Sequence, residues 1–244
     1  MRLITLYVYI ILMQLSFTAA AQSYHTEAYI EYEHKTHVRN LWKEQEMDER
    51  IIQAMPSPYR ISYHDLFFKG TTSLYRPGRD PDGPQAGWTA LHPQNIIYMS
   101  HDSGVYIGQK NIFEEQFLVA DSMPHIDWKI TFDTRVIQGY NCRKAIGKIC
   151  DSVVVVAFYA DQLIIPSGPE SFNGLPGLIL GLVIPRMHTS WYATKIQVKT
   201  IKPEEIKIPT KGKKTRIKGM LKELEEALQG WGNYKHRAMW IASF

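Results

Sequence analysis

Little in this sequence announces a chemistry. The chain has only two cysteines, Cys142 and Cys150, and a C-x7-C spacing without suitable histidines nearby lacks the ligand set of a zinc site. With 28 basic and 24 acidic residues, the formal net charge is +4. That balance is too even to argue for nucleic acid, whose binding draws on a dense basic surface. No internal repeat or low-complexity tract is present, and no glycine-rich segment carries the spacing and lysine of a phosphate loop. After the first 21 residues, no apolar run approaches the roughly 20 residues that span a bilayer. These absences exclude a metal-finger protein, a nucleotide-binding P-loop protein and a helical membrane protein.

The N-terminus supplies the first positive signal. Arg2, an apolar stretch from about Leu3 to Leu15, and small residues at Ala19 and Ala21 form a secretory signal, with cleavage expected between Ala21 and Gln22. No cysteine follows that site, so the expected product is an exported protein that is not a lipoprotein. Removing 21 of the 244 residues leaves 223, read as one domain over 22–244.

Tyrosine and isoleucine are abundant, which favours strands. Period-two alternation recurs through Ala28, Ile30 and Tyr32, through Tyr59, Ile61 and Tyr63, and through Ile126, Trp128, Ile130 and Phe132, each with a polar opposite face. Short strands are expected at 95–101, 104–110 and 112–120. Ser152–Tyr159 is apolar on both faces, the pattern of a central strand. Asn40–Met55 is a charged helical candidate or a polar hairpin extension. Ile217, Met220, Leu221, Leu224 and Leu228 lie at helical spacing before Gly230. The predicted fold is mainly β, a curved antiparallel meander or half-barrel with a C-terminal amphipathic helix.

Cys142 and Cys150 form a disulfide candidate. With a turn centred on Ile146 they would lie opposite one another in a hairpin, and an oxidising compartment would let them pair. The alternative is two unpaired thiols; the expected hairpin favours the bridge.

The most informative stretch is Asp161–Leu182. Pro166, Gly168, Pro169, Gly174 and Pro176 interrupt it before an aliphatic run, which specifies an ordered irregular loop feeding a buried strand. Gly174-Leu175-Pro176-Gly177-Leu178-Ile179 also matches a known signature. The chain resembles the GLPGLI family of exported proteins from the Bacteroidetes. The likeness extends to Trp128-Lys129-Ile130, to Ile137-Gln138-Gly139-Tyr140-Asn141-Cys142-Arg143-Lys144-Ala145, and to Phe158-Tyr159 with Ile165-Pro166-Ser167-Gly168-Pro169. Members commonly carry a Gly-Arg pair where this chain has Cys150-Asp151-Ser152. The resemblance implies an exported β-rich protein and names no reaction. Gly168, Pro169, Gly174, Leu175, Pro176, Gly177, Leu178 and Ile179 are its structural signature.

No catalytic constellation and no metal site emerge from the residues, and no cofactor is implied. Ser167 lacks the G-x-S-x-G context of a nucleophile elbow. His101-Asp102-Ser103 reads as a turn, because triads assemble from separated positions. His34 and His37 fall on opposite faces of a strand. His125 and Asp127 share a face but find no third ligand at recognisable spacing. Glu170 is either a ligand-facing carboxylate or a turn cap. The basic cluster Lys211, Lys213, Lys214, Arg216 and Lys218 suits a solvated surface or an anionic headgroup.

The function expected is therefore non-enzymatic binding in the periplasm or outside the cell. A concave β surface would hold a hydrophobic ligand such as a lipid, or an outer-membrane or surface protein. Trp128, Phe158, Glu170, Asn173 and Trp191 are the binding candidates, with Tyr32 and Tyr63 as further lining. The alternatives are a structural protein of the envelope and a hydrolase drawing on His125, Asp127 and Glu170.

Overall fold

The computed structural model describes residues 27–85, 94–150 and 152–244; the expected signal segment, 1–21, lies outside them. The first strand, β1 (Glu27–Thr36), leads through two short helices, α1 (Val38–Glu44) and α2 (Glu49–Gln53), into β2 (Arg60–Lys69) and β3 (Thr72–Pro77). Next come β4 (Ile96–Ser100), β5 (Val105–Ile112) and β6 (Glu115–Ser122), then β7 (Lys129–Ile137), β8 (Tyr140–Ile149) and β9 (Val153–Ala160). The signature loop separates β9 from β10 (Leu178–Ile184), and β11 (Thr189–Val198) follows a single 3-10 turn. The chain ends with β12 (Lys213–Thr215), α3 (Ile217–Ala227) and α4 (Asn233–Ala242).

The twelve strands of the described residues join one open sheet in the order β12-β6-β5-β4-β3-β2-β1-β11-β10-β9-β8-β7. Two antiparallel meanders, β1 to β6 and β7 to β11, meet where β1 pairs with both β2 and β11. Among the described strands only the β12–β6 pair is parallel. The curvature follows from chain reach. Strands β6 and β7 stand ten interstrand steps apart, about 48 Å along the sheet at the usual spacing. Six residues, 123–128, join them, and seven peptide steps reach at most about 25 Å. The sheet must therefore curl until its two ends approach, which makes the half-barrel.

The expected alternation of β1 holds: Ala28, Ile30, Tyr32, His34 and Thr36 are buried on the inner face. Strand β10 is buried almost throughout, as its aliphatic run requires. Helix α3 buries Met220 and Leu224 and packs against β6 and α4.

Several expectations are corrected. The segment 40–55 forms neither one helix nor a hairpin; α1 and α2 are separate short helices, with Glu46 at positive φ between them. Strand β7, read as half-buried, is an edge strand with both faces largely open, and Phe132 is 100% exposed. Its pairing with β8 is irregular between Ile130 and Thr134, so the alternation has no second layer to meet there. In β9, Val154 remains exposed on the outer face. The tail after Gly230, assigned no element from sequence, is the helix α4.

The disulfide candidate fails for a geometric reason. Strand β8 runs straight through Ile146, which pairs with Lys129 on one side and Val156 on the other. The turn falls between Ile149 and Val153 instead. Cys142 and Cys150 therefore lie eight residues apart along one direction, about 26 Å at strand rise, against the roughly 6 Å between Cα atoms that a bridge needs. Both are free thiols, Cys142 buried and Cys150 exposed.

The signature loop is pinned at close range. Leu178 N–H donates to Leu163 O at 3.0 Å and Ile179 N–H to Ser167 O at 3.0 Å. The Tyr32 hydroxyl donates to Ile179 O at 2.6 Å. Gly177 is required here by space, since a Cβ at that position would stand 2.2 Å from Ala160 O. Gly174 is required by its φ of +88°. Gly177→Ala is expected to lower unfolding stability by about 4 kcal/mol, the range reserved for clashes that backbone cannot relieve. Gly83→Ala, at φ +77° in open space, is expected to cost only about 1–2 kcal/mol. Urea unfolding of the two variants checks the contrast.

Candidate functional site

The concave face of the sheet is occupied. The signature loop sends Phe172, Glu170 and Ser167 inward, all three with no exposed surface. The C-terminal segment enters from the other side. The Phe244 ring lies 5.3 Å from Phe172 and 6.0 Å, edge-on, from Trp191. The inner face is lined by stacked ring pairs, His34 on Trp191 at 4.2 Å and His64 on Tyr75 at 5.0 Å.

At the centre two buried titratable groups, Glu170 and Lys110, interact electrostatically. Glu170, held at a φ of 52°, accepts a hydrogen bond from Asn95 Nδ2 at 2.9 Å through Oε2. Lys110 reaches in from β5 and donates through Nζ to Ala242 O at 2.9 Å and to Phe244 O. The lysine thus faces the carboxylate and clasps the end of α4 at once. Burial pushes Glu170 up to about 7, against the pull of Asn95, Lys110 and Tyr75. Burial pushes Lys110 down to about 8, with Glu170 opposing. Glu170 Oε1, Tyr75 Oη, Tyr106 Oη and Trp191 Nε1 are buried without a hydrogen-bond partner. Two enclosed cavities beneath α4, of about 10 and 20 Å³, have room for little more than a water molecule each.

Open volume lies at the rim of this closed end. One cleft of about 640 Å³ borders the signature loop and includes His125, Asp127, Cys150, Ser171, Phe172 and Ser243. A second, of about 770 Å³, includes Glu44, Cys150, Arg186, His188, Arg237 and Trp240. Cys150 stands between the two, its Sγ 3.2 Å from Ser243 Oγ.

The residues singled out from sequence divide accordingly. Tyr32 and Trp191 face inward, and Trp191 is core. Phe158 lies on the outer face with the Arg135 guanidinium 5.7 Å above its ring. Tyr63 is likewise outside, with Arg79 3.4 Å from its ring centre. Trp128 is half-buried and donates through Nε1 to Asn173 O at 2.8 Å, while Asn173 donates to Pro124 O and Ser171 O. Both therefore brace the signature loop. His125 and Asp127 pair at 3.0 Å in solvent, separated from the sealed Glu170. His37 caps α1 by accepting from Asn40 N–H. His101, Asp102 and Ser103 form the expected turn, with Asp102 accepting from Ser100 Oγ and Ser103 N–H. Among the described residues no group of three side chains is placed to hold a metal ion, and no helix is long and apolar enough to cross a membrane. Lys110, Asn95, Tyr75 and Arg237 had no sequence motif to mark them. A lysine two residues after Gly108 on an otherwise inward-facing set, Tyr106 and Gly108, was the one available sign.

Fold and site define an open half-barrel plugged by its own loop and tail around two buried titratable groups. Residues 147–181 match the family model described as "Protein of unknown function (Porph_ging)", the GLPGLI-type family of Bacteroidetes that the signature loop resembles. No curated protein matches the sequence. Among solved structures, PNGF-II in space group P21 is similar at TM-score 0.52 and 15% identity, over 78% of this chain and 32% of that one. PNGF-II in space group C2 gives 0.51 and 14%, over 88% and 33%. An uncharacterized conserved protein from Thermus thermophilus gives 0.39 and 6%, over 79% and 91%. This chain thus spans about a third of PNGF-II, and the likeness is one of fold.

The pair generates a pH signature. A carboxyl whose folded value, about 7, exceeds its unfolded one favours the folded state below the unfolded value. That contribution is lost as pH rises through about 7, and amounts to about 3 kcal/mol for a shift of this size. His64, pushed down to about 4 by burial, has the opposite slope, losing its contribution as pH falls. The difference between wild type and Glu170→Gln isolates the carboxyl: the wild type is expected to lose stability relative to the variant between about pH 4.5 and 7. Lys110→Met is expected to cost about 2 kcal/mol by leaving the carbonyls of Ala242 and Phe244 without their donor, and to push the Glu170 carboxyl further up by removing the positive charge that opposes burial. Denaturant unfolding across pH measures both.

Proposed function

We propose that this is an exported, non-enzymatic binding protein that takes a small ligand in the clefts at the closed end of its barrel. One observation carries the reading: the concave interior is filled, while volumes of about 770 and 640 Å³ open beside α4 and the signature loop. Both lie within the range typical of small-molecule sites. The filled interior also argues against an acyl chain inside the sheet, since the groups that line it include Glu170, Lys110 and His64. Export is supported by the signal pattern of residues 1–21 and by the family. His125 and Asp127 stand in solvent while Glu170 is sealed, so the hydrolase reading gains no constellation from the fold.

A second reading, a partner protein of the envelope, rests on β7. It is a free sheet edge carrying exposed Ile130, Phe132 and Val136, the kind of apolar edge that pairs with another chain.

Export with cleavage is expected to yield a mature N-terminus at Gln22 on sequencing; a retained leader would contradict it. Native mass spectrometry after incubation with envelope extract is expected to retain a small-molecule adduct. Ser152→Trp, which fills the larger cleft from an exposed turn position, should abolish it. Repeated recovery of empty protein, or an adduct indifferent to Ser152→Trp, contradicts the cleft reading. Enrichment of a protein instead, lost in Phe132→Asp, would favour the edge strand.

A further inference from the structure

The larger cleft has an unbalanced charge inventory. Among the described residues, two guanidiniums, Arg186 and Arg237, and two imidazoles, His188 and His236, line it with one carboxylate, Glu44. Glu44 is already engaged twice: its Oε1 lies 2.6 Å from His188 Nε2, and its Oε2 pairs with Arg237 Nη2. Arg237 keeps Nη1 buried and without a hydrogen-bond partner. Arg186 lies 4.8 Å from the Trp240 ring and has no carboxylate partner among the described residues. A guanidinium offers five donors in a planar fork, so this wall presents more N–H groups than its own acceptors can use.

The fold holds those groups in place from two sides. Arg186 sits in the 3-10 turn Pro185–Met187, which His188 closes in a left-handed conformation at φ 49°. Arg237 and Trp240 belong to α4, whose far end is clasped by Lys110. The backbone that carries both guanidiniums is therefore set before any ligand arrives, and the Trp240 ring backs Arg186, which lowers the ordering cost of binding. Planar, paired donors fit the oxygens of phosphate, sulfate and carboxylate groups.

We infer that the cleft between the Pro185–Met187 turn and α4 binds an oxyanion, the charged group of a small ligand, between Arg186 and Arg237. The inference rests on the proposed function above and names the chemistry of its ligand.

The test uses the mature protein at low salt and follows tryptophan fluorescence with inorganic phosphate, glucose 6-phosphate and glucose as probes. Trp240→Phe identifies the signal from the cleft. Phosphate and glucose 6-phosphate are expected to saturate it and glucose to leave it unchanged. Affinity is expected to weaken about tenfold in Arg186→Gln, the loss of one charged hydrogen-bonding group, and again with added salt. Arg186 is exposed, so its variant should keep the wild-type melting temperature. Two results overturn the inference: no saturation by either phosphate probe, or undiminished binding in a folded Arg186→Gln. Glucose binding as tightly as its phosphate would also overturn it, while leaving the cleft as a ligand site. Empty protein from envelope extract together with saturable phosphate binding would instead fail the broader reading and sustain the oxyanion site.

Discussion

The structure depends on one unfavourable act, the burial of Glu170 and Lys110 together inside a curved sheet. Each charge would be costly alone; the field of Lys110 offsets part of the cost of burying the Glu170 carboxyl, whose Oε1 stays without a hydrogen-bond partner. Asn95 serves the carboxylate, and the carbonyls at the end of α4 serve the ammonium. Two segments far apart in sequence, the signature loop and the C-terminal tail, thereby share a single electrostatic centre. Phe172 and Phe244 pack against each other above it, so the same two segments also supply the apolar fill.

This gives the family signature a physical meaning. Gly177 lets the loop pass against Ala160, Gly174 supplies a left-handed turn, and Tyr32 ties Ile179 to the central strand. Those constraints deliver Glu170 and Phe172 to the interior at fixed positions. The signature is a device for filling a half-barrel that its strands alone do not close. Its glycines act on backbone passage, and the anion chemistry lies elsewhere, on the turn before β11 and on α4.

Much of the sheet was legible in the sequence, because inner and outer residues alternate wherever one face meets a core. β1 and β11 show this, whereas in β2 the alternation was read onto the wrong face: Ser62, His64 and Leu66 turn inward, and Ile61 and Tyr63 lie outside. The reading failed where pattern and environment part company. The alternation of 126–133 promised a buried face, yet β7 is the last strand and nothing covers it. The spacing of Cys142 and Cys150 suggested a hairpin, but Ile146 continues a strand that is paired on both sides. The tail beyond Gly230 has a weak apolar stripe, and its helix is stabilised by docking onto the barrel mouth, a tertiary effect that local pattern does not encode. For the site, Glu170 was visible as a carboxylate in an unusual loop. Its neighbours Lys110, on β5, and Asn95, just before β4, are brought near it by sheet register alone.

The central claim is that loop and tail close the barrel as one unit with the sheet. Native-state hydrogen exchange on the amides of α4, compared with those of β1 and β10, tests it most directly. The account predicts that α4 amides exchange only through an opening of several kcal/mol, one shared with the signature loop and weakened in Lys110→Met. Exchange of α4 at nearly free rates while β1 and β10 stay protected would show the tail to be undocked, and would contradict the claim.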